Sequence, residues 1–199
     1  MPDFQSRDPL SPAFWDERFD KDFTPWDRGG APERVARYVA EWPGRAPVAL
    51  IPGCGSAYEL ALMCEAGWDA TAIDFSPSAV AQGKAAVGRW AGRVVEADFF
   101  AYAPPRALDL IYERAFLCAM PPAMWPSVAK RWAALLPPGG ILAGYFFCTD
   151  TVKGPPFGIR REALDRLMAP AFTLAAEEPV TDSLPVFAGR ELWLEWRRQ

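Results

Sequence analysis

The chain alternates short apolar runs with helix-prone stretches, and this alternation constrains its fold more than any single motif does. The apolar runs are "PVALI" (Pro47 to Ile51), "WDATAID" (Trp68 to Asp74), "RVVEAD" (Arg93 to Asp98), "LDLIYER" (Leu108 to Arg114) and "GILAGYFFC" (Gly140 to Cys148). Between or after them lie "SAYELALMCEAG", "SPSAVAQGKAAVGRW", "PPAMWPSVAKRWAALLPPGG" and "RREALDRLMAP", each with a helical start or stop signal. Strands alternating with helices imply right-handed crossovers and a parallel sheet covered on both faces. Two further strand-like runs, "FTLAAEEPV" and "RELWLEWRR", follow each other without a helix and so imply an antiparallel arrangement. The expected architecture is α/β: a mostly parallel seven-stranded sheet with an antiparallel strand at one edge and helices on both faces.

Ahead of the sheet, "SPAFWDERF" predicts a short helix from Ser11, with Pro12 in its first turn. "PERVARYVAEW" predicts another, with Val35, Tyr38, Val39 and Trp42 at helical spacing. Residues 1–31 are rich in aromatics, namely Phe4, Phe14, Trp15, Phe19, Phe23 and Trp26. No linker or internal repeat divides the chain, so residues 1–199 are expected to form a single domain.

Composition removes several function classes. The chain contains no histidine, which excludes Ser-His-Asp and Cys-His catalysis and the common histidine metal sites. A net charge of -4 with scattered arginines gives no basic footprint, so no nucleic-acid partner is expected. No stretch is long and apolar enough to cross a bilayer, and the polar N-terminus does not read as a signal peptide, so no membrane association and a cytoplasmic location are expected. Cys54, Cys64, Cys118 and Cys148 lack disulfide or zinc spacing and read as free thiols, and no metal is expected.

In open parallel sheets ligands bind beyond the carboxyl ends of the strands. Special residues cluster at those ends: Gly53 and Gly55 after the first strand, Asp74 after the second, Asp98 after the third, Glu113 and Arg114 after the fourth. The glycines permit close approach of a ligand to backbone. Asp74 follows Gly55 by about twenty residues, the spacing at which a carboxylate meets a ribose in nucleotide-binding sheets. A tight turn and a helix cap are the plain structural alternatives for the glycines and Asp74. A dinucleotide would want a third glycine near Tyr58 and positive potential near Glu59. A ring and a carboxylate there favour a ligand without phosphate and with a positive charge, such as S-adenosylmethionine. Asp98 is placed to accept from an adenine amino group while Phe99 or Phe100 packs on the ring.

Cys54 sits where helix N-termini stabilise thiolates, but no base accompanies it and any small residue suits its place. Cys118 and Cys148 follow strands and are candidates to line a soft acceptor site, with "GPPFGI" (Gly154 to Ile159) as a stiff loop nearby.

The ordered set "FWDERF", "TPWDRG", "IPGCG", "AIDFSPSAV", "ADFF", "LIYERAFLCAMPP", "LLPPGGIL" and "GPPFGI" resembles the thiopurine S-methyltransferase family of class I S-adenosylmethionine-dependent methyltransferases. The resemblance implies a Rossmann-like class I methyltransferase fold and a donor site closed by an N-terminal lid, residues 1–31. It implies donor contacts from Trp15, Phe19, Trp26, Gly53, Gly55, Asp74, Phe75, Asp98, Phe99 and Arg114, with S-adenosylhomocysteine as product. Phe19 departs from the family's common tryptophan, keeping an aromatic wall without an indole N–H. "TPWDRG" and "PGCG" also resemble the halide and thiol methyltransferases, which often lack an arginine at position 114.

Arg114 is the candidate catalytic residue, a cation that raises the thiolate fraction of a small thiol acceptor. The alternative is an ion pair with Asp74, Asp98 or another loop carboxylate. The activity expected is methyl transfer to a small soft nucleophile, a thiol sulfur first, by a monomer. Halide, thiocyanate or selenium methylation, a donor-binding sensor without turnover, and a nicotinamide oxidoreductase are the alternatives.

Overall fold

Seven strands form one mixed sheet in the order β3-β2-β1-β4-β5-β7-β6. The structure, a computed structural model, describes residues 2–199, so Met1 of the expected lid lies outside the described residues. By contacts the chain divides into two compact units, one ending at Ala103 and the other beginning at Pro104.

The first unit carries β1 (Val48–Pro52), β2 (Asp69–Asp74) and β3 (Val94–Glu96) with α1 (Pro12–Asp20), α2 (Glu33–Ala40), α3 (Tyr58–Glu65) and α4 (Pro77–Ala86). Its strands are parallel, with Pro52 opposite Ile73 and Asp74 opposite Glu96. This register brings the ends of β1, β2 and β3 to one edge. Both β1 and β2 bury most of their residues, as sheet strands covered on two faces must. Leu50, Leu60, Met63, Ala70, Ala72 and Ile73 are fully enclosed, each at 0% exposure. Serines open two of the helices. Ser76 accepts from the Ala79 N–H at 3.1 Å and Pro77 takes the first turn of α4, where its missing N–H costs nothing.

Two boundaries differ from the sequence expectation. α3 begins at Tyr58 because Ala57 stands in the left-handed region (φ 54°), so Ser56 belongs to the loop. α4 stops at Ala86, before Gly88 (φ 55°), and a 3-10 turn over Gly88–Arg93 replaces its expected last turn.

The second unit carries β4 (Leu110–Arg114), β5 (Ile141–Phe147), β6 (Phe172–Pro179) and β7 (Glu191–Arg198), with α5 (Trp125–Leu135) and α6 (Arg161–Met168). β4 and β5 are parallel, and β7 runs antiparallel to both β5 and β6. The reversed strand therefore lies one place in from the edge, with β6 outside it. The mostly parallel sheet with a late antiparallel pairing matches the sequence expectation. Trp132, Trp193, Tyr112, Tyr145 and Phe146 fill this core, and Tyr145 meets Trp193 edge-on at 5.3 Å between centroids. Among the described residues no helix is long and apolar enough to cross a membrane.

Gly144 lies where β4 and β5 come together. A Cβ there would stand 1.9 Å from the Glu113 carbonyl oxygen, so only glycine fits. Gly144→Ala is expected to lower stability by about 3 kcal/mol or more, the upper range for forced overpacking. Urea unfolding of the two proteins measures this difference, and equal midpoints would contradict the packing described.

Candidate active site

The carboxyl end of β2 holds a buried carboxylate. Asp74 is 8% exposed, and it accepts from the Gly55 N–H at 3.1 Å and from the Ser76 N–H at 3.0 Å. One side chain thus joins the loop after β1 to the loop after β2. Burial pushes its carboxyl up to about 6, against the lowering effect of the backbone N–H groups of Ser76, Gly55 and Phe75. Above that pH it is an anion able to accept further hydrogen bonds.

The glycines shape the loop beside it. Gly53 and Gly55 take φ of 59° and 50°, angles that suit glycine. Gly55 also lies against Phe19, whose Cζ would stand 3.4 Å from an added Cβ. Mid-helix Gly83 of α4 permits a second close approach: a Cβ there would stand 2.7 Å from the Gly55 carbonyl oxygen. A glycine inside a helix costs about 1 kcal/mol relative to alanine, and this contact explains its presence.

The N-terminal segment is fastened to the same loops by two carboxylates. Asp16 of α1 accepts from Ser76 Oγ at 2.6 Å and from the Ser78 N–H at 3.1 Å. Asp27 accepts from Ser56 Oγ, which in turn accepts from Gln82 Nε2 at 2.9 Å. Trp26 meets Trp15 at 5.6 Å and Phe19 at 6.1 Å, both edge-on. Trp15, Phe19 and Trp26 therefore form one aromatic group, with Phe19 buried and the two tryptophans half-buried. Asp16, Asp27, Ser56 and Gly83 were not singled out from sequence. Both aspartates directly follow a tryptophan in "FWDERF" and "TPWDRG", which is the signal that could have found them.

Beyond β3, Asp98 is exposed and accepts from the Phe100 N–H at 2.9 Å. Phe99 is buried at 4%, whereas Phe100 is half-buried, and their rings meet at 5.4 Å. Phe75 is half-buried next to Asp74. Burial, Asp74 and Glu59 all push the Cys54 thiol well above the usual range, which disfavours the thiolate that a nucleophilic role would need. The residues around the loop thus offer carboxylates, backbone and aromatic faces. That donor set fits an adenosine with a positively charged tail.

In the second unit Arg114 ends β4. Its guanidinium lies 4.3 Å from the Tyr145 ring centroid, and its Nη1 is 3.8 Å from Glu191 Oε1. One carboxylate partner of Arg114 is thus Glu191, on β7. Glu113, 1% exposed, accepts from the N–H groups of Phe116 and Leu117 at 3.2 Å and closes a turn through Ala115, which is left-handed (φ 57°). Burial pushes Glu113 up to about 8 despite those N–H groups and Arg114. Cys118 and Cys148 are both raised by burial, Cys148 to about 11, so neither supplies a thiolate at neutral pH. The "GPPFGI" loop is anchored by the Phe157 N–H donating to the Cys118 carbonyl at 2.7 Å.

The family model "Thiopurine S-methyltransferase (TPMT)" matches residues 10–196. Thiocyanate methyltransferase 1 of Arabidopsis thaliana is 28% identical over 190 residues, covering 92% of this chain and 84% of the relative. The thiopurine S-methyltransferase of Methylococcus capsulatus is 27% identical over 186 residues, covering 83% of this chain and 84% of the relative. Among solved structures, a Burkholderia thailandensis 1,6-didemethyltoxoflavin-N1-methyltransferase with bound S-adenosylhomocysteine superposes with a TM-score of 0.75 at 19% identity, covering 100% of this chain and 93% of that one. Magnesium protoporphyrin IX methyltransferase from Synechocystis with bound S-adenosylmethionine gives 0.73 at 14% identity, covering 98% and 99%.

Two outcomes follow from the geometry. Gly83→Ala pushes on the Gly55 carbonyl and is expected to weaken S-adenosylhomocysteine binding about tenfold, or ~1.4 kcal/mol, in calorimetry. Unchanged affinity would show that the loop tolerates the displacement. A raised carboxyl pKa in the folded state gives stability that is full below the unfolded value and lost as pH rises through the folded one. For Glu113 that window runs from its ordinary value of 4.5 to about 8. Thermal unfolding should show the wild type losing stability across this window, and Glu113→Gln, an uncharged acceptor, losing less. Parallel curves would contradict the buried placement.

Proposed function

This chain belongs to the thiopurine S-methyltransferase family and is an S-adenosylmethionine-dependent methyltransferase, and we propose that it methylates a thiol sulfur on a small molecule. The observation that carries the acceptor reading is Arg114, a guanidinium held at the carboxyl end of β4 by Tyr145 and Glu191. S-adenosylmethionine supplies a methyl group on a sulfonium, open to in-line attack by a nucleophile.

On the donor side, Asp74 accepts from the ribose hydroxyls and Asp98 from the adenine amino group. Phe75, Phe99 and their neighbours provide apolar walls. The backbone at Gly53 and Gly55 meets the amino-acid end, and no phosphate has to be accommodated beside buried Glu59. The described residues up to position 31 act as the lid, with Trp15, Phe19 and Trp26 as its inner face. The carboxylate contacts from Asp16 and Asp27 support this, since they tie the segment to the loops that carry Gly55 and Asp74.

On the acceptor side, a thiol with a pKa near 8.5 is only partly ionised at neutral pH. Arg114 donates to the sulfur, favours its anion, and orients the lone pair, while the proton leaves to water. No strong base is needed, which agrees with a chain that contains no histidine. The named relatives include both thiopurine and thiocyanate methyltransferases, so a second acceptor, thiocyanate or another soft anion, is carried by those similarities.

The test is a panel of aromatic thiols, hydrogen sulfide, thiopurines, selenite, iodide and thiocyanate with methyl-labelled donor. Labelled thioether is the expected product. Arg114→Ala should lower thiol methylation about tenfold or more, the scale of one lost charge-assisted hydrogen bond, with little change in S-adenosylhomocysteine affinity. Full thiol turnover in that variant would remove Arg114 from the chemistry.

A further inference from the structure

Arg114 does not stand alone, and what surrounds it sets which acceptors it attracts. The register of the second unit puts Arg114 opposite Tyr145 on β5, and Glu191 opposite Phe147 at the carboxyl end of the same strand. Glu191 therefore reaches the strand edge that carries Arg114, although it comes from the reversed strand. Both side chains are withdrawn from water, at 13% exposure for Arg114 and 5% for Glu191.

Two features make this pair more than scaffolding. A buried ion pair is poor value as pure stabilisation, because desolvation offsets the attraction and apolar residues of similar size do as well. The geometry is also loose for a structural bridge, at 3.8 Å, and among the described residues the buried Glu191 Oε2 has no hydrogen-bond partner. A buried carboxylate oxygen left unsatisfied calls for an explanation, and the cation that the same carboxylate faces supplies one. Its ion-pair partner is Arg114.

From these observations we propose that Glu191 is a specificity-determining residue that cancels the charge of Arg114, so that the acceptor site admits neutral thiols and holds permanently anionic nucleophiles weakly. The inference rests on the acceptor role of Arg114 proposed above. Among the described residues the charges around this pair balance. Arg114 contributes one positive charge and Glu191 one negative. Glu113, beside them on β4, is neutral at pH 7 because burial raises it to about 8. Cys118, which senses Glu113, Glu191 and Arg114, is also neutral, and Tyr145 presents its ring to the guanidinium. Arg190, next to Glu191 in the chain, is turned to the Phe147 ring at 5.1 Å and donates to the Val186 carbonyl at 3.0 Å. At short range a sulfur still meets the N–H donors of Arg114. An anion arriving from water gives up its hydration for a site with no net charge.

The test is equilibrium binding by calorimetry in the presence of S-adenosylhomocysteine, using thiocyanate as the anion and the neutral thioether product of an accepted thiol as the control. Glu191→Gln keeps the shape and removes the charge. It should bind thiocyanate at least tenfold more tightly than wild type, with thioether affinity within twofold. Glu191→Asp, which keeps the charge, should bind thiocyanate as weakly as wild type. Equal thiocyanate affinity in wild type and Glu191→Gln, or a parallel change for both ligands, overturns the proposal. A wild-type measurement covers the case in which Glu191→Gln does not fold. As pH rises through about 8, Glu113 ionises and the site becomes net negative. Wild-type thiocyanate affinity should then fall while thioether affinity stays level, and a flat thiocyanate profile counts against the proposal. The parent reading is decided separately, by whether wild type forms labelled thioether at all. Failure there removes both readings, whereas thioether formation with unchanged anion binding removes only this one.

Discussion

The first unit depends on one buried carboxylate. Asp74 accepts from Gly55 and Ser76 at once, so the loops after β1 and β2 are parts of a single hydrogen-bonded unit. Ser76 carries the connection further, since its hydroxyl donates to Asp16 of α1 while its oxygen caps α4. Gly83 lets α4 lie against the same loop. A carboxylate taken out of water without such partners would cost several kcal/mol, so the loop geometry and the charge maintain each other. The same atoms that fix the loops leave an anion at the strand edge, where a ribose would need an acceptor.

The second unit solves a related problem with a different outcome. Glu113 and Glu191 are both buried, but their surroundings separate their roles. Glu113 is occupied by the turn that follows Arg114, and burial keeps it protonated at neutral pH. Glu191 faces the guanidinium, and its second oxygen has no hydrogen-bond partner among the described residues. One acid shapes the turn that presents Arg114, and the other balances the charge of Arg114. Tyr145 gives the guanidinium a face to rest on, which limits where its donors can point.

Much of this was legible in the sequence because strand ends are punctuated. Glycines, aspartates and the Glu-Arg pair all follow apolar runs, and a parallel sheet gathers such positions along one edge. The absence of histidine narrowed the chemistry before any geometry was known. What stayed hidden depends on contacts between segments far apart in the chain. Glu191 sits inside "RELWLEWRR", an ordinary alternating strand, and only its antiparallel register with β5 brings it to the site edge. Asp16 and Asp27 look like surface charges beside aromatics until their serine partners, Ser76 and Ser56, come into place. Gly83 reads as a weak point in a helix until the Gly55 carbonyl is seen above it. The helix starts shifted for local reasons, since a left-handed Ala57 has no sequence signal that distinguishes it from a helical alanine.

The central claim is that Asp74 and Asp98 hold the nucleoside of the methyl donor at the carboxyl edge of the first unit. A crystal structure with S-adenosylhomocysteine measures this directly. The expected result is a bidentate approach of the ribose hydroxyls to the Asp74 carboxylate, the adenine amino group at Asp98, and the amino-acid tail on the backbone near Gly53 and Gly55. A nucleoside bound elsewhere, or a ribose turned away from Asp74, would contradict it.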